Sequence, residues 1–252
     1  MNESFIQIEN LYRSFGPQQV LRGVDLEISQ GEAIAVIGQS GCGKSVLLKH
    51  LMRLMDPDEG RIFIDGRDIA ELDHGELVAL RQRFGMLFQS AALFDSLTVE
   101  ENVGLALREK RLVPEREVHD LVIGKLELVG LASSAEKYPA ELSGGMRKRV
   151  GLARAIAHDP EILLYDEPTT GLDPITSDVI NDLIVELNEK LHVTSIAVTH
   201  DMRSAFKIAN RIVMLYQGVV EFDGSPDEVR RTDNQIVRQF ISGEAKGPIQ
   251  VR

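Results

Sequence analysis

Eight consecutive residues, Gly38-Gln39-Ser40-Gly41-Cys42-Gly43-Lys44-Ser45, set glycines, a lysine and a hydroxyl in the order G-x-x-x-x-G-K-[ST]. That spacing suits chemistry on a phosphate chain. Glycines let successive backbone N–H groups turn toward one anion, and a helix starting at the loop adds its partial positive charge. Lys44 is then placed to reach the β- and γ-phosphates, and the Ser45 hydroxyl to ligate Mg2+. The bland alternative is a chance Gly-rich turn, but an apolar strand pattern precedes the motif and a helical one follows it. Cys42 fills a variable position of the loop. With no base or second thiol beside it, it is not read as a catalytic thiol.

A second group of chemically capable residues closes the apolar run Ile162-Leu163-Leu164-Tyr165-Asp166-Glu167. A strand buried on both faces delivers its end to the sheet rim, where ligands of α/β folds sit. Asp166 can hold Mg2+ there, opposite Ser45. Glu167 is expected to point elsewhere, because consecutive strand residues face opposite ways, and so to polarise a water for in-line attack on the γ-phosphate. Taken alone, the pair reads as a solvated acidic turn before Pro168; the phosphate loop upstream tips it to the catalytic reading.

The third group is Leu142-Ser143-Gly144-Gly145-Met146, followed by Arg147-Lys148-Arg149. Ser143 is a good N-cap, and two glycines at a helix start expose N–H groups to an anion. The cations that follow stand at the positive end of the helix dipole. This placement is unfavourable unless negative charge arrives from outside.

Elements must hold these groups in place. Ala33–Ile37, Ile162–Tyr165 and Thr194–Val198 read as buried strands alternating with helical patterns, an α/β fold with a largely parallel sheet. Leu47, Leu48, Leu51 and Leu54 mark the apolar face of the helix after the loop. Ile212–Tyr216 continues through Gly218 into Val219–Phe222 as a late hairpin. The stretch from about 91 to 158 has few strand signals and several helical ones, such as Val118, Leu121, Val122, Lys125, Leu126 and Val129, and reads as a helical insertion. From about Ser242 the chain is polar with Gly243, Gly247 and Pro248, an expected extended tail. The 252 residues carry a net charge of −11, with 43% hydrophobic and 27% charged residues and one cysteine. The acidic balance disfavours nucleic-acid binding, and the single cysteine fits a reducing compartment. No apolar run reaches the roughly 18–20 residues that span a bilayer, and Met1-Asn2-Glu3-Ser4 shows no secretion signal. The chain is expected to be cytoplasmic, reaching a membrane only through a partner.

Over nearly its whole length the sequence resembles the ATP-binding cassette (ABC) ATPases of transporters. The phosphate loop, the segment Leu142–Met146 and the strand Ile162–Glu167 carry the resemblance. With them go Asp173 in Gly171-Leu172-Asp173, His200 in Val198-Thr199-His200-Asp201, Gln89 in Met86-Leu87-Phe88-Gln89, and Phe15 in Arg13-Ser14-Phe15-Gly16. Alone, His200 reads as a capping or core histidine, Phe15 as core and Gln89 as a polar strand end. The resemblance implies a P-loop NTPase (RecA-like) core, residues 1–90 and 159–241, with a helical subdomain at 91–158 and an N-terminal antiparallel β region. A tail follows at 242–252. It implies ATP hydrolysis with Mg2+ by two copies closed head to tail, each ATP lying between one copy's phosphate loop and the other's Ser143-Gly144-Gly145. In that scheme Phe15 stacks on adenine, Gly38 through Val46 and Ser143 through Met146 with Asp173 bind nucleotide, Ser45, Gln89 and Asp166 hold Mg2+, His200 holds the γ-phosphate and Glu167 activates water.

Two positions depart from the family pattern: Met146 stands where Gln is usual and Val46 where a hydroxyl residue is usual. Neither removes a catalytic group, but each puts one polar nucleotide contact in question. Gln89–Val103, Leu142–Arg149 and the tail Val237–Ile241 through Pro248 are similar to the bacterial phospholipid-trafficking branch, the Mla-type, Mce-associated ATPases. That branch implies a multi-span permease on the inner membrane whose coupling helix docks beside Gln89. It further implies a small regulatory subunit, an Mce-domain protein and a peripheral position on the cytoplasmic face. An importer of amino acids or other small polar solutes would share every catalytic residue. A cassette acting on DNA or ribosomes would need long coiled coils or a second cassette, and neither is present.

Overall fold

A computed structural model describes residues 4–250; Met1, Asn2 and Glu3 of the scanned N-terminus, and Val251 and Arg252 of the expected tail, lie outside the described residues. In chain order the elements are β1 (Ile6–Phe15), β2 (Gln18–Ile28), β3 (Ala33–Ile37), α1 (Lys44–Leu51), β4 (Glu59–Ile64), β5 (Arg67–Asp68), α2 (His74–Gln82), β6 (Phe84–Leu87) and α3 (Val99–Glu109). There follow α4 (Glu115–Leu128), α5 (Gly144–Ala155), β7 (Ile162–Asp166), α6 (Pro174–Leu191), β8 (Thr194–Thr199), α7 (Met202–Ile208), β9 (Arg211–Tyr216), β10 (Val219–Gly224), α8 (Pro226–Arg231) and α9 (Gln235–Ser242). They fall into two compact units. One runs up to Leu77 and resumes at Ile196; the other is Val78–Ser195.

In the first unit, β1 alternates buried isoleucines with outward residues and becomes an inner strand of an antiparallel sheet ordered β2-β1-β4-β5. The register stacks like on like: Ile6 lies opposite Ile28 and Ile64, and Ile8 opposite Leu26 and Ile62. All six are buried, and each such side chain contributes about 1.5–3 kcal/mol relative to exposure. The β3 run is apolar throughout because both its faces are covered, and it pairs in parallel with β9, Val36 opposite Val213. The late hairpin forms between β9 and β10, antiparallel, through Gln217 (φ 48°) and Gly218 (φ 82°). Positive φ at both loop residues matches the twist of the flanking strands.

Two expectations in this unit are corrected. The helix after the phosphate loop buries Leu47, Leu48 and Leu51 but stops there; Leu54 lies beyond it, 55% exposed, after Arg53 has turned into left-handed backbone (φ 47°). The chain after Ser242 is not extended either. Gly243 caps α9 at φ 69°, and the Gln239 side chain grips the segment that follows. Its amide nitrogen donates to the Glu244 and Ile249 carbonyls, both at 3.1 Å, while its oxygen accepts from the Ile249 N–H at 2.6 Å. Ile249 is buried as a result.

In the second unit, β6 and β7 pair in parallel, Phe84 opposite Ile162 and Leu87 opposite Tyr165. Between them, among the described residues, 91–158 contains helices and no strand. A capping box of Thr98 and Glu101 starts α3. Val118, Val122 and Leu126 form the buried stripe of α4, and α3, α4 and α5 pack on one another. The unit, Val78–Ser195, takes in this helical segment together with β6, β7 and α6. No helix among the described residues is long and apolar enough to cross a membrane.

Candidate nucleotide site

The phosphate loop joins β3 to α1 in the first unit. Gly38, Gly41 and Gly43 have φ of 149°, 82° and 108°, backbone that L side chains rarely adopt. Space is short as well: a Cβ on Gly43 would lie 2.7 Å from Leu21 Cδ2, and one on Gly38 would strike the Leu215 carbonyl and Cys42 Sγ. The loop is thus a cradle whose tightest positions, Gly38 and Gly43, admit only glycine, and it fits a polyphosphate. Gly43 is also the N-cap of α1 and offers no side chain to the first-turn N–H groups, which a bound anion can take instead. Lys44 is buried; its ammonium donates to the Gly38 carbonyl at 2.7 Å and the Gln39 carbonyl at 3.1 Å, so it lies across its own loop. Gln39, Cys42, Ser45 and Val46 are half-buried and Ser40 is exposed. The Cys42 N–H closes a turn onto the Gln39 carbonyl at 3.2 Å.

Two further residues named from the sequence share this unit. Phe15 ends β1 beside Gly16 and is 42% exposed. The Arg13 guanidinium lies 5.1 Å from its ring centroid, and Arg13 is itself anchored on Asp58 at 2.8 Å. His200 follows β8, exposed, just before Asp201 caps α7.

The second unit holds the other residues. β7 ends at Asp166, and Glu167 stands outside the strand with φ 49°. Its direction is therefore set by a left-handed turn and not by strand alternation, which corrects the geometric reason given above. The Thr170 hydroxyl donates to its carboxylate at 3.2 Å. Gln89 is exposed two residues past β6.

Ser143 caps α5 as expected, its Oγ accepting from the Met146 N–H at 3.3 Å. Gly144 and Gly145 open that helix. A Cβ on Gly145 would lie 2.5 Å from Thr176 Cγ2, so the helix start rests against the first turn of α6. Asp173 caps α6, accepting from the Ile175 and Thr176 N–H groups at 3.0 Å each and from the Thr176 hydroxyl at 2.5 Å. The hydroxyl bond first, then the backbone ones, hold its carboxyl below the ordinary value.

Sequence reasoning missed one residue here. Lys148 was grouped with Arg147 and Arg149 as a basic turn awaiting outside charge, yet it is 4% exposed and donates to the carbonyls of Gln89 at 2.5 Å and Glu167 at 3.2 Å. Part of the charge conflict is therefore answered inside the chain. Burial pushes its ammonium down to about 8, against the pull of Asp166 and Glu167. The signal available was its place, one turn into the helix that opens with Gly144 and Gly145 of the segment Leu142–Met146, the signature of the family.

A phosphate loop between a buried strand and a helix, with a second strand ending in Asp166 and followed at once by Glu167, marks a phosphate-loop ATPase. The chain belongs to the ABC transporter family, whose sequence profile matches residues 21–170. It is 40% identical over 252 residues to MlaF of Haemophilus influenzae, an intermembrane phospholipid transport system ATP-binding protein, covering 100% of this chain and 96% of the relative. It is 42% identical over 244 residues to the probable ribonucleotide transport ATP-binding protein mkl of Mycobacterium leprae, 97% of this chain and 70% of the relative. Among solved structures, an ATP-binding cassette captured as a dimer in a post-hydrolysis state with ADP and Pi matches at TM-score 0.79 and 35% identity, over 87% of this chain and 98% of that one.

Proposed function

We propose that this ATPase drives phospholipid transport between bacterial membranes through a separate inner-membrane permease, working as a pair of copies on the cytoplasmic face. The observation that carries the reading is the end-to-end similarity to MlaF, which extends past the family profile into α8, α9 and the segment clamped by Gln239. In this reading Phe15 stacks on adenine and Gly38 to Val46 cradle the phosphates. Ser45, Asp166 and Gln89 offer hard oxygen donors that would hold Mg2+, which would supply charge neutralisation at the phosphates. Glu167 takes the proton of the attacking water, His200 holds the γ-phosphate, and Ser143 to Met146 with Asp173 meet the nucleotide of the partner copy. A small regulatory subunit and an Mce-domain protein complete the assembly; nucleic acid has no part in it.

The name of the mycobacterial relative favours a second reading, transport of a small polar solute. Purification with the native permease, followed by lipid extraction and mass spectrometry, separates the two. Phospholipid retained in proportion to the complex supports the first, and a lipid-free complex stimulated by a soluble solute sinks it. In the same complex Glu167→Gln keeps ATP binding and lowers turnover by about a hundredfold or more; turnover near wild type removes Glu167 from the base role.

A further inference from the structure

The helix that begins with the signature residues also holds the segments carrying Gln89 and Glu167. Lys148, one turn into α5, hydrogen-bonds two main-chain carbonyls, those of Gln89 and Glu167. Two turns further on, Arg154 donates to the carbonyls of Ala91 and Ala92, each at 2.6 Å. Three of these acceptors belong to residues in left-handed backbone: Glu167 at φ 49°, Ala91 at 61° and Ala92 at 48°. Non-glycine residues occupy that region sparsely and stay there only where their surroundings hold them. Here two cations of one helix do the holding. Lysine is among the side chains least often fully buried, and this one is spent on backbone. A main-chain carbonyl moves with its residue, so a shift of α5 reaches Gln89 and Glu167 directly.

We propose that Lys148 is a positioning residue that ties the signature helix to Gln89 and Glu167, so that gripping one nucleotide sets the groups acting on the other. This rests on the reading above, in which Glu167 activates water and Ser143 to Gly145 meet the partner copy's ATP. Each copy then senses its partner's nucleotide at Ser143 and passes that state, through Lys148, to its own carboxylate and glutamine. Lys148 touches no reacting atom; it acts through the two carbonyls.

The test is steady-state ATP hydrolysis by the complete permease-containing assembly with Lys148→Met, Lys148→Gln and Ser143→Ala, singly and combined, beside Glu167→Gln. Lys148→Met is expected to lower kcat about tenfold with the KM for ATP within about twofold of wild type. Lys148→Gln keeps two N–H donors on a shorter stem and should lose only about threefold. Combining either with Ser143→Ala should cost no more than about threefold beyond the worse single variant, because both cut one connection. A wild-type kcat in Lys148→Met, a loss carried in KM, or losses that multiply with that of Ser143→Ala would each overturn the proposal. Should the Met variant not fold, the Gln variant and its combination with Ser143→Ala decide by the same criteria. Turnover surviving Glu167→Gln overturns the underlying site reading, and this proposal with it; loss in Glu167→Gln beside an unaffected Lys148 pair overturns the proposal alone.

Discussion

The phosphate loop and the signature are both glycine-rich helix starts, yet they use glycine for different reasons. At Gly38, Gly41 and Gly43 the backbone itself is left-handed or nearly so, and at Gly43 a side chain would also collide with Leu21. Gly144 and Gly145 lie in ordinary helix; what Gly145 provides is closeness to Thr176. The caps differ in parallel. Gly43 leaves the first-turn N–H groups of α1 to an incoming anion, whereas Ser143 takes one of those of α5 for itself. On the proposed reading, the first loop encloses the nucleotide of its own chain and the second helix start meets the nucleotide of the partner copy.

Nucleotide binding by the isolated chain tests that contrast most severely. Lys44→Ala should weaken ATP binding by about 2–3 kcal/mol, roughly 30- to 150-fold in Kd by calorimetry, while Ser143→Ala stays within about twofold. Equal losses would mean that the signature serves its own chain's nucleotide and would erase the distinction. Stability gives the next largest difference. Gly43→Ala forces a Cβ into left-handed backbone and should cost about 1–3 kcal/mol in urea unfolding. Gly144→Ala, in helix with its Cβ 3.4 Å from Leu172 Cδ2, should fall within about 1 kcal/mol of wild type, on the stabilising side if Leu172 yields. A large loss at Gly144 would show that its backbone is special after all.

The smallest effect is a matter of pH. The Asp173 carboxyl is held below its ordinary value of 3.8 in the folded chain, so its share of stability is present above 3.8 and is lost as pH falls through the lower folded value. Asp173→Asn can still cap α6 but cannot titrate. The difference in melting temperature between the two proteins should therefore be constant through neutral pH and shrink only in that acid window, and a difference that still varies with pH near neutrality would point to another titrating group.

Glycine also explains how much of the site could be read from residues alone. The phosphate loop was legible because its strained positions must be glycine, leaving a spacing in the sequence. The left-handed turns at Glu167, Ala91 and Ala92 leave no such mark, since ordinary residues occupy them and the enforcing groups, Lys148 and Arg154, come from a distant helix. The parallel strands showed as unbroken apolar runs, and Val118, Val122 and Leu126 showed as a stripe. The end of α1 did not, because Leu54 continues the apolar spacing after the backbone has turned away. Lys148 was hidden for a related reason: a basic residue among basic residues carries no periodic signal, and its burial depends on carbonyls brought from Gln89 and Glu167.

The glycine at position 247 is of yet another kind. Its Cα passes so close to the Gln239 amide that any added carbon would strike it, and the amide then reads both main-chain groups of Ile249 as a neighbouring strand would. Residues 243–248 accordingly form a closed loop instead of a loose end. Gln239→Ala would remove that clasp and free the segment without altering any charge.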